Sequence, residues 1–135
     1  MRAGLIAGSV LTAVVLMALR AAADVPALYT ASLAVTGGAI FAQQCTTCHR
    51  AQLEGVAGPA LKGEAFHQMA AAQNLNAQSL LNVISQSMPQ DNPGSLTPAQ
   101  YSALVAFILQ QNGYPAGASE LSASSPNLKD LSLNQ

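Results

Sequence analysis

Cys45-Thr46-Thr47-Cys48-His49 is the stretch on which the reading of this chain turns. C-x-x-C-H is the pattern of covalent haem attachment of the c type. Two thiols three residues apart reach the two vinyl groups on one edge of a porphyrin. The next residue, His49, then lies under the ring with its imidazole on the iron. Thioether bonds resist reduction, so a small protein keeps its haem. Three rival readings explain less. A structural zinc site needs four ligands, and the chain has only two Cys and two His. A thioredoxin-like dithiol sits at a helix start in a βαβ setting, and no strand pattern is visible. A plain disulfide suits an exported protein but leaves His49 without a role.

Working outward, a second iron ligand is expected. A Met sulfur, a His, water or an open position each occur in haem proteins. Met88 is the strongest candidate: it lies 39 residues after His49, at a helix end broken by Pro89 and just before a turn. The plainer alternative is a core-filling Met. Met69 reads as a packing residue. His67 would give a bis-His haem, but it lies only 18 residues from His49. Gly58-Pro59-Ala60-Leu61 falls on the His49 side. The Pro59 carbonyl is placed to accept the Nδ1 proton of His49, which fixes the tautomer and raises ligand basicity. Leu61 is expected to pack on the haem face.

Four helices are predicted. The first runs from about Ser32 to Gln44, with Leu33, Gly37, Ile40 and Phe41 on one face. Gly37 and Gly38 are costly inside a helix and make sense where another helix crosses closely. Residues 50–63 read as loop, punctuated by Gly55, Gly58, Pro59 and Gly63. A short helix follows from Glu64 to Ala72. The third runs from Ala77 to Gln86 or Ser87, with Asn76 as N-cap. Leu81, Ile84 and Met88 share its face, and Pro89 ends it and drives Met88 toward extended backbone. After the turn cluster Asp91–Ser95, Thr97-Pro98-Ala99-Gln100 forms a capping-box start for the fourth. Tyr101, Leu104, Val105 and Ile108 make its buried stripe, and Gly113 stops it. From Ala116 onward a Ser- and Ala-rich tail carries Leu121, Leu128, Leu131 and Leu133. It is either disordered or draped over the domain.

The chain has 135 residues, one domain's worth. Half is apolar, 8% is charged, 4% is aromatic, and the formal net charge is −1. No basic surplus neutralises phosphates, which argues against nucleic acid. Charge is too sparse for a disordered tail or a coiled coil, and two Cys cannot build a multi-bridge scaffold. Six aromatics and no Trp make a thin core, which a large flat apolar cofactor would complete. Arg2, the apolar run Ala3–Leu19 and Ala21-Ala22-Ala23 before Asp24 read as a cleaved secretory signal. Retained, residues 3–19 would be a membrane anchor at the lower length limit; cleaved, they leave no stable membrane insertion. The expected organisation is a signal over 1–23, a haem domain over 24–117 and a tail over 118–135. Beyond residue 23, three cations face six anions, a charge of −3.

At these residues the sequence resembles class I c-type cytochromes of the small bacterial monohaem kind. The matching pieces are Gly38 and Phe41, Cys45-x-x-Cys48-His49, Gly58-Pro59-Ala60-Leu61-Lys62-Gly63 and Met88-Pro89. Then come Asn92-Pro93-Gly94-Ser95-Leu96-Thr97, Tyr101 and Ala106-Phe107-Ile108-Leu109. Residues 112–117 and Glu120-Leu121 are also similar to cytochromes associated with quinoprotein alcohol dehydrogenases. The resemblance implies an all-α, cytochrome c-like orthogonal helix bundle: four helices and a loop-rich pocket around one covalent haem c. The first and last helices would cross with Gly38 and Phe41 meeting Phe107. It implies His49 and Met88 as axial ligands. One departure stands out: related cytochromes often carry a Trp near Met69, so the hydrogen bond an indole would give a haem propionate is lost.

The function implied is a periplasmic electron carrier, not an enzyme. With both axial positions filled, no substrate coordinates. The expected partners are redox proteins: a dehydrogenase donor and a cytochrome or oxidase acceptor, met through a small transient interface. Two further readings stand beside it. One is a five-coordinate or bis-His haem protein acting as a gas or peroxide sensor or enzyme. The other is a haem-free dithiol oxidoreductase.

Overall fold

In the computed structural model, which describes residues 25–134, the chain enters its first helix at Thr30. The expected signal peptide lies outside the described residues. Thr30 is extended and its side chain accepts the Leu33 N–H at 3.2 Å, capping α1 (Ala31–Gln44). The helix ends at Cys45, and the next four residues make a further single turn, α2 (Thr46–His49). This turn lies inside the C-x-x-C-H motif, so the helices among the described residues number five rather than the four expected. Arg50 then takes φ 60° and ψ 162°, a conformation that costs a non-glycine residue about 1–3 kcal/mol. It throws the chain out of the turn and into the loop over residues 51–62.

Helix α3 (Gly63–Gln73) ends on left-handed Asn74. Helix α4 (Ala77–Ser87) starts with a reciprocal capping box between Asn76 and Ser79 and stops at Met88, which is extended at φ −122° and ψ 150°, as a residue before proline should be. Helix α5 (Pro98–Gln111) carries the predicted Thr97/Gln100 capping box with Pro98 in its first turn. Among the described residues, extended pairing is limited to one isolated bridge, Asn76 with Ser132.

The two long helices, α1 and α5, form the main contact of the fold. A Cβ on Gly37 would lie 1.8 Å from the Ala103 carbonyl oxygen, so only glycine lets the backbones approach this closely. At Gly38 the neighbour is the Phe107 ring, 3.2 Å from where a Cβ would sit. One turn on, the Phe41 and Phe107 rings stack at a tilt, with centroids 5.3 Å apart. Such pairs contribute about 0.5–1.5 kcal/mol beyond area burial. Helix α5 is buried far beyond its predicted stripe: Ser102, Ala103, Ala106 and Leu109 are covered as well. It is the spine of the domain, with α1 on one side and α4 on another.

The tail is packed. Leu121, Leu128, Leu131 and Leu133 are each 3% exposed or less. The residues before α1 are tied to the stretch after α5. Tyr29 donates its hydroxyl to the Tyr114 carbonyl at 2.6 Å, and Gly117 N–H donates to the Tyr29 carbonyl at 2.7 Å. Among the described residues no helix is long and apolar enough to cross a membrane.

Candidate haem site

The one-turn helix α2 sets the geometry of the motif. The N–H groups of Cys48 and His49 both donate to the Cys45 carbonyl, at 3.3 and 2.9 Å, which brings both thiols and the imidazole onto the rim of one cavity. The loop that follows is stitched back to this turn through the backbone. Gly55 N–H donates to the His49 carbonyl, and Val56 and Gly58 N–H donate to the Cys48 carbonyl, at 3.0 to 3.1 Å. That stitching delivers the Pro59 carbonyl to His49: Nδ1 donates to it at 2.8 Å. Since a carbonyl only accepts, Nδ1 carries the proton and Nε2 is the nitrogen free to bind a metal. Gly58 stands against the flat of the ring. A Cβ there would lie 2.6 Å from His49 Cε1.

The cavity has a volume of about 730 Å³. All six residues expected at the site line it: Cys45, Cys48, His49, Pro59, Leu61 and Met88. Met69 and Ile84 line it too, whereas His67 does not; its Nδ1 donates instead to the Leu133 carbonyl at 2.9 Å. The wall is mainly aliphatic. Asp91 is the single acidic side chain lining it, no Arg or Lys does, and its amides are Gln44, Gln73 and Gln90. Both cysteines are free. Burial, with the neighbouring Cys48 adding to it, pushes the Cys45 thiol up to about 11. Among the described residues no three His, Cys, Asp or Glu side chains gather into a metal cluster, so the pair has no zinc site to join.

These residues fit a haem. Two thiols flank an oriented imidazole, a glycine clears room for its ring, and an aliphatic cavity of suitable size opens beside them. The profile of the family described as cytochrome c oxidase, cbb3-type, subunit III matches residues 32–108. The chain belongs to this family of c-type cytochromes. No curated protein gives a significant sequence match. Among solved structures, the cytochrome is similar to a chain in the crystal structure of the sulfane dehydrogenase SoxCD from Paracoccus pantotrophus. The TM-score is 0.59 and the identity 23%, over 73% of this chain and 52% of that one. The cytochrome thus spans about half the length of that relative, and at this identity the likeness speaks for the fold. The fold is the all-α cytochrome c type, its cofactor is haem c attached through the C-x-x-C pair, and its chemistry is haem-based electron transfer.

Two supports of the site have no sequence signal. Tyr101 donates its hydroxyl to the Met88 carbonyl at 2.9 Å, tying α5 to the residue expected on the iron. Asn112 donates to the Leu61 carbonyl at 2.9 Å and accepts from Gly63 N–H at 3.0 Å, clamping the far end of the loop that carries Pro59. In the sequence Tyr101 reads only as core and Asn112 only as the end of a helix.

Proposed function

We propose that the cytochrome carries single electrons in the periplasm, on a haem held between His49 Nε2 and the Met88 sulfur. The observation that carries this reading is the pair of supports on one cavity: His49 fixed by Pro59 on one element, and Met88 fixed through its backbone by Tyr101 on another. When bound, haem supplies a reversible one-electron couple. His49 is held in one tautomer, Met88 offers a soft thioether, and the aliphatic wall excludes water. Neutral thioether and low dielectric both favour the ferrous state and raise the potential. With both positions taken, the protein moves electrons and transforms no substrate.

Export is supported by the signal-like residues 1–23, since c-type haem is attached outside the cytoplasm. For partners, the resemblance of residues 112–121 to cytochromes of quinoprotein alcohol dehydrogenases supports a dehydrogenase donor. The family's link to an oxidase supports a respiratory acceptor. The ground beside the motif favours a weakly charged contact: Val56 is exposed, and Arg50 and Glu54 offset each other in one shallow hollow. The deciding experiment is the visible spectrum of the ferric protein. The charge-transfer band of Met-bound haem is expected; its absence, with rapid CO binding by the ferrous form, would replace this reading with the five-coordinate one.

A further inference from the structure

Helix α3 is a wall of the haem cavity without a helical partner among the described residues. Met69 and Gln73 reach the cavity from it, yet among the described residues no other helix backbone comes near it. Helix α4 continues the same wall and ends at Met88. Helix α4 packs on α5, but α3 and the start of α4 are held by the tail. His67 on α3 donates Nδ1–H to the Leu133 carbonyl at 2.9 Å. Leu133 N–H donates to the Leu75 carbonyl, in the corner between α3 and α4, at 3.0 Å. The first turn of α4 leaves backbone N–H groups with no partner inside the helix. The tail supplies acceptors for two of them: Leu131 takes Ala77 N–H at 3.0 Å and Leu128 takes Gln78 N–H at 3.2 Å. Tyr114 donates its hydroxyl to Ser132 at 3.2 Å, which anchors the tail to the end of α5. Leu128, Leu131 and Leu133 are buried beneath these bonds.

We propose that residues 128–133 are a positioning strap for Met88, with His67 as its clasp. No hydrogen bond joins the strap to His49 or Met88. It fixes the start of α4, and a rigid helix of 11 residues carries that placement to its other end, where Met88 stands. Loosening the strap lets the wall swing and raises the fraction of molecules with Met88 away from the iron. An added ligand binds only that fraction, so its apparent affinity reports it directly. The proposal rests on Met88 as an axial ligand.

The test uses the full-length holoprotein with imidazole as the competing ligand, read by loss of the Met charge-transfer band in the ferric state. His67→Ala removes the clasp and should raise imidazole affinity about fivefold, the scale of one hydrogen bond. His67→Asn places an amide N–H where Nδ1 was and should return the affinity close to that of the unaltered protein. Leu133→Ala opens a cavity under the strap and should raise affinity about tenfold or more. Unchanged imidazole affinity in His67→Ala and Leu133→Ala, with only a lower melting temperature, would overturn the strap and leave a purely structural tail. Should Leu133→Ala fail to mature, the His67 pair decides alone. A charge-transfer band missing from the unaltered protein would remove Met88 as ligand and the strap with it; a normal band with unresponsive variants removes the strap only.

Discussion

His49 Nδ1 stands 2.8 Å from the Pro59 carbonyl, and the bare backbone of Gly58 is what lets the imidazole stand there. The methyl of Gly58→Ala would lie 2.6 Å from Cε1 and 2.9 Å from Nδ1, so the ring must move or the loop must open. The loop is pinned by its own hydrogen bonds to Cys48 and His49, so the ring should yield. Gly58→Ala is expected to lower the holoprotein yield severalfold and to disturb the ferric spectrum. A pyridine haemochrome assay with visible spectra checks both.

Met88→Leu should retain covalent haem, because both thiols are untouched, and should lower the reduction potential. Replacing the thioether by a hydrocarbon removes the ligand that favours ferrous iron. Spectroelectrochemical titration is the measurement, and an unchanged potential would reject Met88 as ligand.

Cys45→Ser should weaken or abolish maturation. One thioether is lost, and with it half of the covalent hold on the porphyrin edge. Haem content per chain after export, compared with Cys48→Ser, is the readout. Normal incorporation in either variant would argue against two attachment points.

Gly37→Ala tests the crossing of α1 and α5. The new Cβ would meet the Ala103 carbonyl oxygen at 1.8 Å, a backbone atom that cannot step aside alone. The loss should be about 3 kcal/mol or more, the upper range for overpacking. Gly38→Ala faces only the Phe107 ring at 3.2 Å, and the ring can tilt. Its cost should be well below that of Gly37→Ala. Denaturant unfolding of the two holoproteins gives the comparison.

Removing haem should leave residues 24–135 poorly ordered. The cavity of about 730 Å³ is far larger than the voids that folded cores tolerate, and its aliphatic walls would face water. Near-ultraviolet circular dichroism of the apoprotein should lose its fine structure. A cooperative unfolding transition in that apoprotein would show that the protein part of the core suffices.

The sequence made the local features legible. The caps at Asn76 and Thr97, the stop at Gly113 and the extended Met88 depend on residues within a turn of one another, and all four are found. The C-x-x-C pair and the bond from His49 to the Pro59 carbonyl are legible for the same reason: their residues sit on one short stretch. Helix α2 escaped because four residues hold no period to read. The burial of α5 all round was underestimated because Ser102 and Ala103 carry no strong hydropathy. The tail was ambiguous because Leu121, Leu128, Leu131 and Leu133 follow neither helical nor strand spacing. Their partners, Leu75, Ala77 and Gln78, lie far away along the chain. Tyr101 and Asn112 act through carbonyl groups, which every residue possesses, so no side-chain pattern marks their targets.

The closing contact of the fold has a consequence in time. Gly37 meets Ala103 and Phe107, so the main helix pair joins an early segment to a late one. A chain delivered amino-end first presents Cys45, Cys48 and His49 well before Phe107 or the wall that ends in Met88 has emerged. The α1–α5 pair is complete only when both ends of the domain are present.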